Sequence, residues 1–514
     1  MTTLCQIINR QVAVRPDAVY LKDAESDAQI TYEQLRLSCL GIGRLLEGKG
    51  VRSGDTVSVV MPNGVNTMRL LLAGMYCGVI VNPVNLLSQP DQMSYVLAHS
   101  DCKLVVTSSD WYERVKAILT GIDRPIDVWV LDPMAPTHAS GLSDNQSDDP
   151  EMSIGLETTV TDVSPALLMY TSGTTGRPKG VVLTQGQLLH NAQAIAQEHG
   201  LTESDRVLAV LPLYHINAFV VTMLAPLVAG GSLALTAKFS AGRFWSQVAN
   251  NNCSWINLVP TMISYLLEGE KPQHMFPRPV KFCRSASASL PPAHLSGFEA
   301  MFGIGVIETM GLTETAAPSF SNPLDPAKRK LGSVGRASGC EAMVVDADLN
   351  PVADSVIGEV LIRGQNVMQG YYKNPDATAA SFTASGWLRT GDLGYRDADG
   401  FFFITGRLKE LIIKGGENIA PREIDEALLK HPDVLDAAAV GIPDKHYGQE
   451  IMACVMIRPG GTATLSDLTA FCEQTLGKFK TPKKMYIVDE LPRGPSGKVQ
   501  RLKLPEFVQY EATT

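Results

Sequence analysis

A glycine- and hydroxyl-rich segment follows an apolar run near residue 170. It reads Tyr170-Thr-Ser-Gly-Thr-Thr-Gly-Arg-Pro-Lys-Gly180, and the run before it, Ala166-Leu-Leu-Met169, is typical of a buried strand. Such a loop offers backbone N–H groups, hydroxyls and two cations to phosphate oxygens. It is not a Walker A loop, because Lys179 precedes glycine and the other two glycines stand too close together. The segment predicts a phosphate-binding loop. Taken alone, it would more often be a flexible surface turn.

Seven further short motifs follow along the chain. They are Pro212-Leu-Tyr-His215, Gly311-Leu-Thr-Glu314, Gly332-Ser-Val-Gly335, Thr390-Gly-Asp-Leu-Gly394, Gly406-Arg-Leu-Lys409, Lys414-Gly-Gly-Glu-Asn418 and Pro492-Arg-Gly-Pro-Ser-Gly-Lys498. In identity and order the eight motifs resemble the adenylate-forming superfamily of acyl- and aryl-CoA synthetases, luciferases and peptide-synthetase adenylation domains. The resemblance covers residues 166–498. It implies an AMP-forming acid–thiol ligase, in the acyl-CoA synthetase branch, that uses ATP, Mg²⁺ and coenzyme A.

The resemblance also implies which residues act on the nucleotide. The ATP-binding residues are then Thr171, Ser172, Gly173, Thr174, Thr175, Lys179, Met310, Gly311, Thr313, Asp392, Arg407 and Lys498. Glu314 would hold Mg²⁺, for which a carboxylate is a suitable hard ligand. Asp392 would accept both ribose hydroxyls. Relatives usually carry an aromatic residue where this chain has Met310, so adenine would pack on a thioether instead.

Four residues form the implied catalytic set: Lys498, Thr313, Glu314 and His215. Forming an acyl-adenylate brings two anions together, and positioned cations lower their repulsion. Lys498 would bridge the attacking carboxylate and the α-phosphate. Judged by composition alone, a lysine near a chain end is a solvated surface charge, and only its motif favours the catalytic role.

The acyl pocket is expected beside the second and third motifs. Its implied residues are Tyr214, His215, Asn217, Lys238, Arg284, Ser285 and Ser287. The stretch around Arg284 resembles oxalate–CoA ligases, and the surroundings of His215 and Lys238 resemble malonate- and oxalate-type enzymes. Polar groups and cations suit a short acid with a second anionic end, a dicarboxylate or a sulfonated acid such as sulfoacetate. A structural role for Arg284 and Lys238 stays open. A fatty or aromatic acid, or transfer to a carrier protein instead of CoA, is the alternative.

The last motifs imply a second half-reaction. Gly415, Gly416 and Glu417 would form the CoA site, because glycines let a thin pantetheine arm pass close to the backbone. Lys409 occupies the hinge position, where one or two residues can absorb a domain rotation. We predict two domains: residues 1–408, the AMP-binding part, and residues 409–514, a small mobile α+β domain.

Strand-like apolar runs alternate with helical patterns through most of residues 1–408. This alternation predicts an α/β fold with mostly parallel sheets. The apolar segments 70–90 and 218–237 are interrupted by Pro or Gly and are expected to be buried core, not membrane spans. Residues 135–157 are rich in Ser, Asp, Pro and Gly and predict a surface loop or linker.

The overall charge restricts the classes of molecule that the protein is expected to bind. A net charge of -9 argues against general nucleic-acid binding, which needs a basic surface. Nine scattered cysteines without metal-type spacing, and a start without an apolar signal core, predict a cytoplasmic protein with reduced thiols. The expected partners are small molecules (ATP, a carboxylic acid and CoA). A homo-oligomer is compatible with the sequence.

Overall fold

The computed structural model describes residues 2–26, 28–134, 160–171, 177–272, 277–494 and 498–510. The strands are β1 (Val19–Asp23), β2 (Gln29–Thr31), β3 (Thr56–Val60), β4 (Ile80–Pro83), β5 (Leu104–Thr107), β6 (Asp127–Val130), β7 (Pro165–Thr171), β8 (Lys179–Thr184), β9 (Arg206–Ala209), β10 (Ser232–Leu235), β11 (Trp255–Leu258), β12 (Phe282–Ser285), β13 (Val306–Leu312), β14 (Ala317–Ser321), β15 (Arg336–Ala337), β16 (Glu341–Val345), β17 (Gly358–Arg363), β18 (Leu388–Arg396), β19 (Phe402–Arg407), β20 (Ile412–Lys414), β21 (Glu417–Ile419), β22 (Val434–Asp444), β23 (Gly448–Ile457) and β24 (Lys484–Ile487). The α-helices are α1 (Leu4–Val14), α2 (Tyr32–Gly48), α3 (Val65–Tyr76), α4 (Pro90–His99), α5 (Ser109–Leu119), α6 (Gln185–Glu198), α7 (Ala225–Ala229), α8 (Ala241–Asn250), α9 (Pro260–Glu268), α10 (Pro292–Phe302), α11 (Pro375–Ala380), α12 (Pro421–Leu428), α13 (Leu465–Lys480) and α14 (Leu504–Phe507).

Two large sheets form the first part of the chain. One has nine strands in the order β15-β14-β13-β12-β11-β9-β10-β1-β2, and its six middle strands, from β13 to β1, run parallel. The other has the order β6-β5-β3-β4-β7-β8 and is parallel except for the β7–β8 pair. Every residue of β3 and β5 is buried, as expected for strands covered on both faces. The predicted α/β class with mostly parallel sheets is confirmed.

A third sheet, β16-β17-β18-β19, is antiparallel and carries the segment that contains Asp392 and Arg407. A fourth, built from β20 to β24, packs with α12 and α13. Two of its apolar clusters contain only residues from Ile412 onward, whereas the largest cluster of the protein runs from Leu4 to Leu388. A 3-10 turn, Leu408–Glu410, joins the two regions. The division at residues 408 and 409, and the hinge role of Lys409 inside that turn, stay predictions.

Both apolar segments are buried over most of their length, although Leu87 in the first of them is exposed. Residues 217–235 form a π-helix (Asn217–Leu224), then α7 and β10, which matches the expected helix-then-strand pattern. Within the part of the chain that the structure describes, no helix has the length and apolar character needed to cross a membrane. All nine cysteines are free thiols. The expected linker at 135–157 lies outside the described residues.

Candidate active site

A cavity of about 640 Å³ lies between the first part of the chain and its C-terminal region. Residues of β13, β18 and β19 line one side, and residues of α12, β22 and the C-terminal segment line the other. Six residues predicted for the nucleotide or acyl site belong to this lining: Ser287, Met310, Gly311, Asp392, Arg407 and Lys498. The cavity therefore brings together residues that are more than two hundred positions apart in the sequence, because Ser287 and Lys498 both line it.

The third motif lies where β13 turns into β14. A Cβ atom on Gly311 would stand 2.1 Å from the carbonyl oxygen of Ala317, so only glycine fits between the paired strands. The chain then enters a 3-10 turn, Thr313–Thr315, which places Thr313 and Glu314 directly after the cavity wall. Met310 lines the cavity, as a residue packing on adenine would.

Asp392 and Arg407 are register partners on β18 and β19. Their side chains form an ion pair, with Nε of Arg407 2.7 Å from Oδ1 of Asp392, and Asp392 is buried. The negative charge of Asp392 raises the pKa of Arg407, whereas burial raises the pKa of Asp392 and the charge of Arg407 opposes that rise. Asp392 lines the cavity, and a carboxylate has enough acceptor sites to bind both hydroxyls of a vicinal diol in addition to one cation.

Lys498 lines the same cavity. Burial lowers the pKa of its ammonium group, and the positive charge of Arg407 adds to this effect, while Asp392 opposes it. A lysine in this setting is partly desolvated and lies near other charges, unlike a solvated surface lysine. The neighbouring residues 495–497 lie outside the described part of the chain.

The phosphate loop is described only at its two ends. Thr171 and Lys179 face each other at the open end of the β7–β8 pair. Four further residues predicted to bind ATP lie outside the described part of the chain: Ser172, Gly173, Thr174 and Thr175. Lys179 reaches the ring of Tyr371, with Nζ 4.8 Å from the ring centroid, and the Tyr371 hydroxyl donates to Oε1 of Glu314 at 2.8 Å. The structure thus brings a predicted phosphate ligand and the predicted metal ligand to one tyrosine.

The chemistry of Glu314 suits Mg²⁺. Among the described residues no group of three or more His, Cys, Asp or Glu side chains could form an all-protein metal site. Mg²⁺ is commonly held by one or two carboxylates together with substrate phosphates, and a single carboxylate beside a phosphate-loop lysine fits this pattern.

Arg284 is the buried cation among the predicted acyl-site residues, and it does not itself line the cavity. It lies on β12, is only 1% exposed, and donates from Nη1 to Oδ1 of Asn217 (2.8 Å) and to Oδ1 of Asn257 (3.0 Å). Its Nε has no hydrogen-bond partner, and no carboxylate pairs with it among the described residues. Burial lowers the pKa of the guanidinium. A buried cation without a counter-charge is costly unless a ligand anion compensates it.

Asn217 connects Arg284 to the cavity. It opens the π-helix, and its side-chain amide donates to Oγ of Ser287 at 3.2 Å. Ser287 lines the cavity and has a left-handed backbone (φ +75°), a strained conformation for serine. The neighbouring Ser285 is buried, and its hydroxyl has no partner among the described residues. Asn257 completes this cluster. It was missed because an asparagine inside an apolar strand carries no motif.

Three predicted acyl residues are placed differently. Lys238 is exposed, and it is not among the residues lining the cavity. Tyr214 borders a separate small void of about 10 Å³. Its ring lies 4.7 Å from the ring of His215, centroid to centroid, in an edge-on arrangement. Among the described residues, neither Lys238 nor Tyr214 hydrogen-bonds to the side chains of Asn217, Asn257 or Arg284.

The residues predicted for CoA form a tight hairpin. Lys414 pairs with Glu417 across the β20–β21 turn, and Gly415 (φ +59°) and Gly416 (φ +89°) occupy its two central positions. Both angles favour glycine, as in a two-residue turn. A side chain at Gly416 would meet no atom within 4 Å, so the turn is open on that side.

Glu308 is a site residue that the sequence did not reveal. It lines the cavity, and burial raises the pKa of its carboxyl to about 7. Oε1 accepts from the Leu290 amide at 3.2 Å, whereas Oε2 has no partner among the described residues. In the sequence, Glu308 is distinguished only as an acidic residue within the apolar run of β13.

Comparison with known proteins gives consistent matches. The AMP-binding enzyme family matches residues 8–372, and the AMP-binding enzyme C-terminal domain family matches residues 423–498. A sulfoacetate–CoA ligase of Cupriavidus necator is 54% identical over 98% of this chain and 97% of its own. An oxalate–CoA ligase of Arabidopsis thaliana is 37% identical over 89% of each. The crystal structure of ATP-bound MatB from Rhodopseudomonas palustris has a TM-score of 0.89 at 27% identity and covers 99% of both chains.

Proposed function

The chain belongs to the AMP-binding enzyme family, and we propose that it is an ATP-dependent acid–CoA ligase acting on a short anionic acid. In the first half-reaction a carboxylate oxygen attacks the α-phosphorus of ATP, and pyrophosphate leaves. In the second, the CoA sulfur attacks the acyl carbon of the adenylate, and AMP leaves. The observation that carries the proposal is the meeting of Asp392, Arg407 and Lys498 at one cavity beside Met310.

Each of these groups has a distinct task in adenylate formation. Asp392, with Arg407 beside it, would hold the ribose hydroxyls and so fix the position of the α-phosphate. Lys498 would stand between the two approaching anions, where its charge is worth most in the transition state. Thr171 and Lys179 would hold the outer phosphates, with Thr313 at the α-phosphate. Mg²⁺, held by Glu314, would neutralise phosphate charge when bound.

The acid is proposed from two independent lines. The sulfoacetate–CoA and oxalate–CoA ligases, both similar to this chain, are named for two-carbon acids with a second anionic group. Arg284 is a buried cation without a partner carboxylate among the described residues, and an anionic end group would supply one. Sulfoacetate is our first candidate, with oxalate and malonate next. Gly415, Gly416 and Glu417 would admit CoA after the small domain turns about Lys409.

A pyrophosphate-release screen with mass analysis of the thioester tests the proposal. The acids are sulfoacetate, oxalate, malonate, acetate, butyrate, octanoate and benzoate, each with ATP and CoA. We expect the highest kcat/KM with sulfoacetate, and a CoA thioester as product. An octanoate or benzoate optimum would refute the anionic acid, and the absence of ATP-dependent pyrophosphate release with every acid would refute the ligase.

A further inference from the structure

Tyr371 contacts two charged residues to which the proposed ATP site gives separate tasks. Its hydroxyl donates to Oε1 of Glu314 at 2.8 Å. The ammonium group of Lys179 lies over its ring, with Nζ 4.8 Å from the ring centroid. Glu314 and Lys179 come from different motifs: Glu314 lies in the turn between β13 and β14, and Lys179 is the first residue of β8. A single side chain therefore sets the distance between the metal-binding carboxylate and a phosphate-binding cation.

The backbone of Tyr371 is fixed to the phosphate-loop strand. Tyr371 forms a β-bridge with Val181, and the amide of Tyr372 donates to the carbonyl oxygen of Gly180 at 2.7 Å. Both partners follow Lys179 directly on β8. The ring under Lys179 thus moves with the strand that carries Lys179.

A second set of contacts fixes the orientation of this segment. The Tyr371 amide donates to Oγ1 of Thr378 at 2.8 Å, and this hydroxyl donates onward to the carbonyl oxygen of Asn374 at 2.8 Å. The amide of Met368 donates to the carbonyl oxygen of Glu314, also at 2.8 Å. The segment around Tyr371 therefore holds Glu314 by its main chain and by its side chain.

On the basis of the proposed function, we infer that Tyr371 is a positioning residue for adenylate formation. It holds Glu314 and Lys179 in the geometry that binds the magnesium–ATP complex. Its hydroxyl occupies Oε1 of the Glu314 carboxylate, so Oε2 would be the oxygen that holds Mg²⁺. A cation over the ring draws on the same π electrons, so it strengthens the hydroxyl as a donor to the carboxylate. Hydrogen bonds to charged groups are among the stronger ones in proteins.

The neighbouring tyrosine provides a matched control. The Tyr372 hydroxyl also donates to a carboxylate oxygen at 2.8 Å, that of Asp101, in an exposed contact that involves neither Glu314 nor Lys179. Tyr371→Phe and Tyr372→Phe each remove one hydroxyl of the same kind from adjacent positions. Only the first change should alter nucleotide binding.

Calorimetric titration of the full-length protein with ATP, once with Mg²⁺ and once with EDTA, tests the inference. Tyr371→Phe should raise the Kd of magnesium–ATP about tenfold, as expected for losing a hydrogen bond to a charged group. Its Kd for metal-free ATP should stay within about twofold of wild type, and Tyr372→Phe should change neither constant. An unchanged Kd for magnesium–ATP, or an equal rise in both constants, overturns the positioning role. Failure of the wild-type protein to bind ATP at all would instead overturn the proposed function.

Tyr371→Leu separates the ring from the hydroxyl. Removing the ring removes the cation–π contact with Lys179. This variant should therefore also raise the Kd of metal-free ATP by about fivefold. Its melting temperature is measured alongside. If metal-free ATP binds to Tyr371→Leu as it does to Tyr371→Phe, the ring does not position Lys179.

Discussion

Replacing Arg284 by methionine removes the charge on which the choice of acid depends and keeps a side chain of similar length. Arg284 lies in a cluster with Asn217 and Asn257, and burial disfavours its positive charge. If an anionic group of the substrate offsets this charge, the variant should lose activity toward anionic acids. If Arg284 is purely structural, the variant should lose stability instead.

The contacts set the size of both effects. Removing the guanidinium leaves Oδ1 of Asn257 without its donor, whereas Oδ1 of Asn217 still accepts from Asn257 at 3.2 Å. One unpaired buried acceptor costs about 1–3 kcal/mol, and relief of an uncompensated buried charge offsets part of that cost. The fold should therefore survive. A lost charge-assisted contact of about 1.5–3 kcal/mol lowers kcat/KM for the anionic acid by roughly 10- to 150-fold.

The assay is the ratio of kcat/KM for sulfoacetate to that for propionate, measured in wild type and variant at equal ATP and CoA. This ratio should fall at least about tenfold in Arg284→Met. Only sulfoacetate has a second anionic group that could pair with Arg284, so the activity on propionate should not depend on that charge. Arg243→Met is the control, since Arg243 forms a surface ion pair with Glu25 at 3.3 Å and is half exposed. A ratio that stays within about twofold of wild type in a folded variant would refute the reasoning and return Arg284 to a structural role.

Three further outcomes are expected. Lys498→Ala should slow adenylate formation by about 10³-fold while sparing thioester formation from synthetic adenylate; an equal loss in both half-reactions would contradict its role. Lys409→Pro fixes φ at the proposed hinge and should spare pyrophosphate exchange more than thioester output; parallel losses in soluble protein would count against domain rotation. Burial raises the pKa of Glu308 from 4.5 to about 7, so the native state binds this proton more tightly than the unfolded state, and stability should fall by about 3 kcal/mol as pH rises through that window. Glu308→Gln removes this dependence, so its melting temperature relative to wild type should increase between about pH 5 and pH 8; a constant difference would show that Glu308 does not titrate there.

The sequence predicted those features that depend on local composition. Strands such as β3 and β5 are continuous β-branched runs, and only a sheet covered on both faces buries every residue of such a run. Motif identity likewise indicated Asp392, Arg407 and Lys498 before any geometry was known. Their meeting at one cavity follows from strand register, because β18 and β19 pair Asp392 directly with Arg407.

The residues that the sequence missed share a different property: they act through contacts with residues far away in the sequence. Tyr371 reaches Glu314 across 57 positions, and Asn257 reaches Arg284 across 27. Composition cannot reveal such pairs, since tyrosine and asparagine are common and their partners are chosen by tertiary packing.

Lys238 shows the converse case. Its charge and the resemblance of its surroundings to malonate- and oxalate-type enzymes favoured it as an acyl ligand, and the structure places it at an exposed position just beyond β10. An exposed cation is hydrated and screened, so it discriminates weakly between an anionic and a neutral acid. A cation buried like Arg284 is not hydrated, and the anion that pairs with it replaces the lost water. The two candidates therefore differ in burial, which the sequence does not show for an isolated charge. Substrate choice should change when Arg284 is replaced and should not change when Lys238 is replaced.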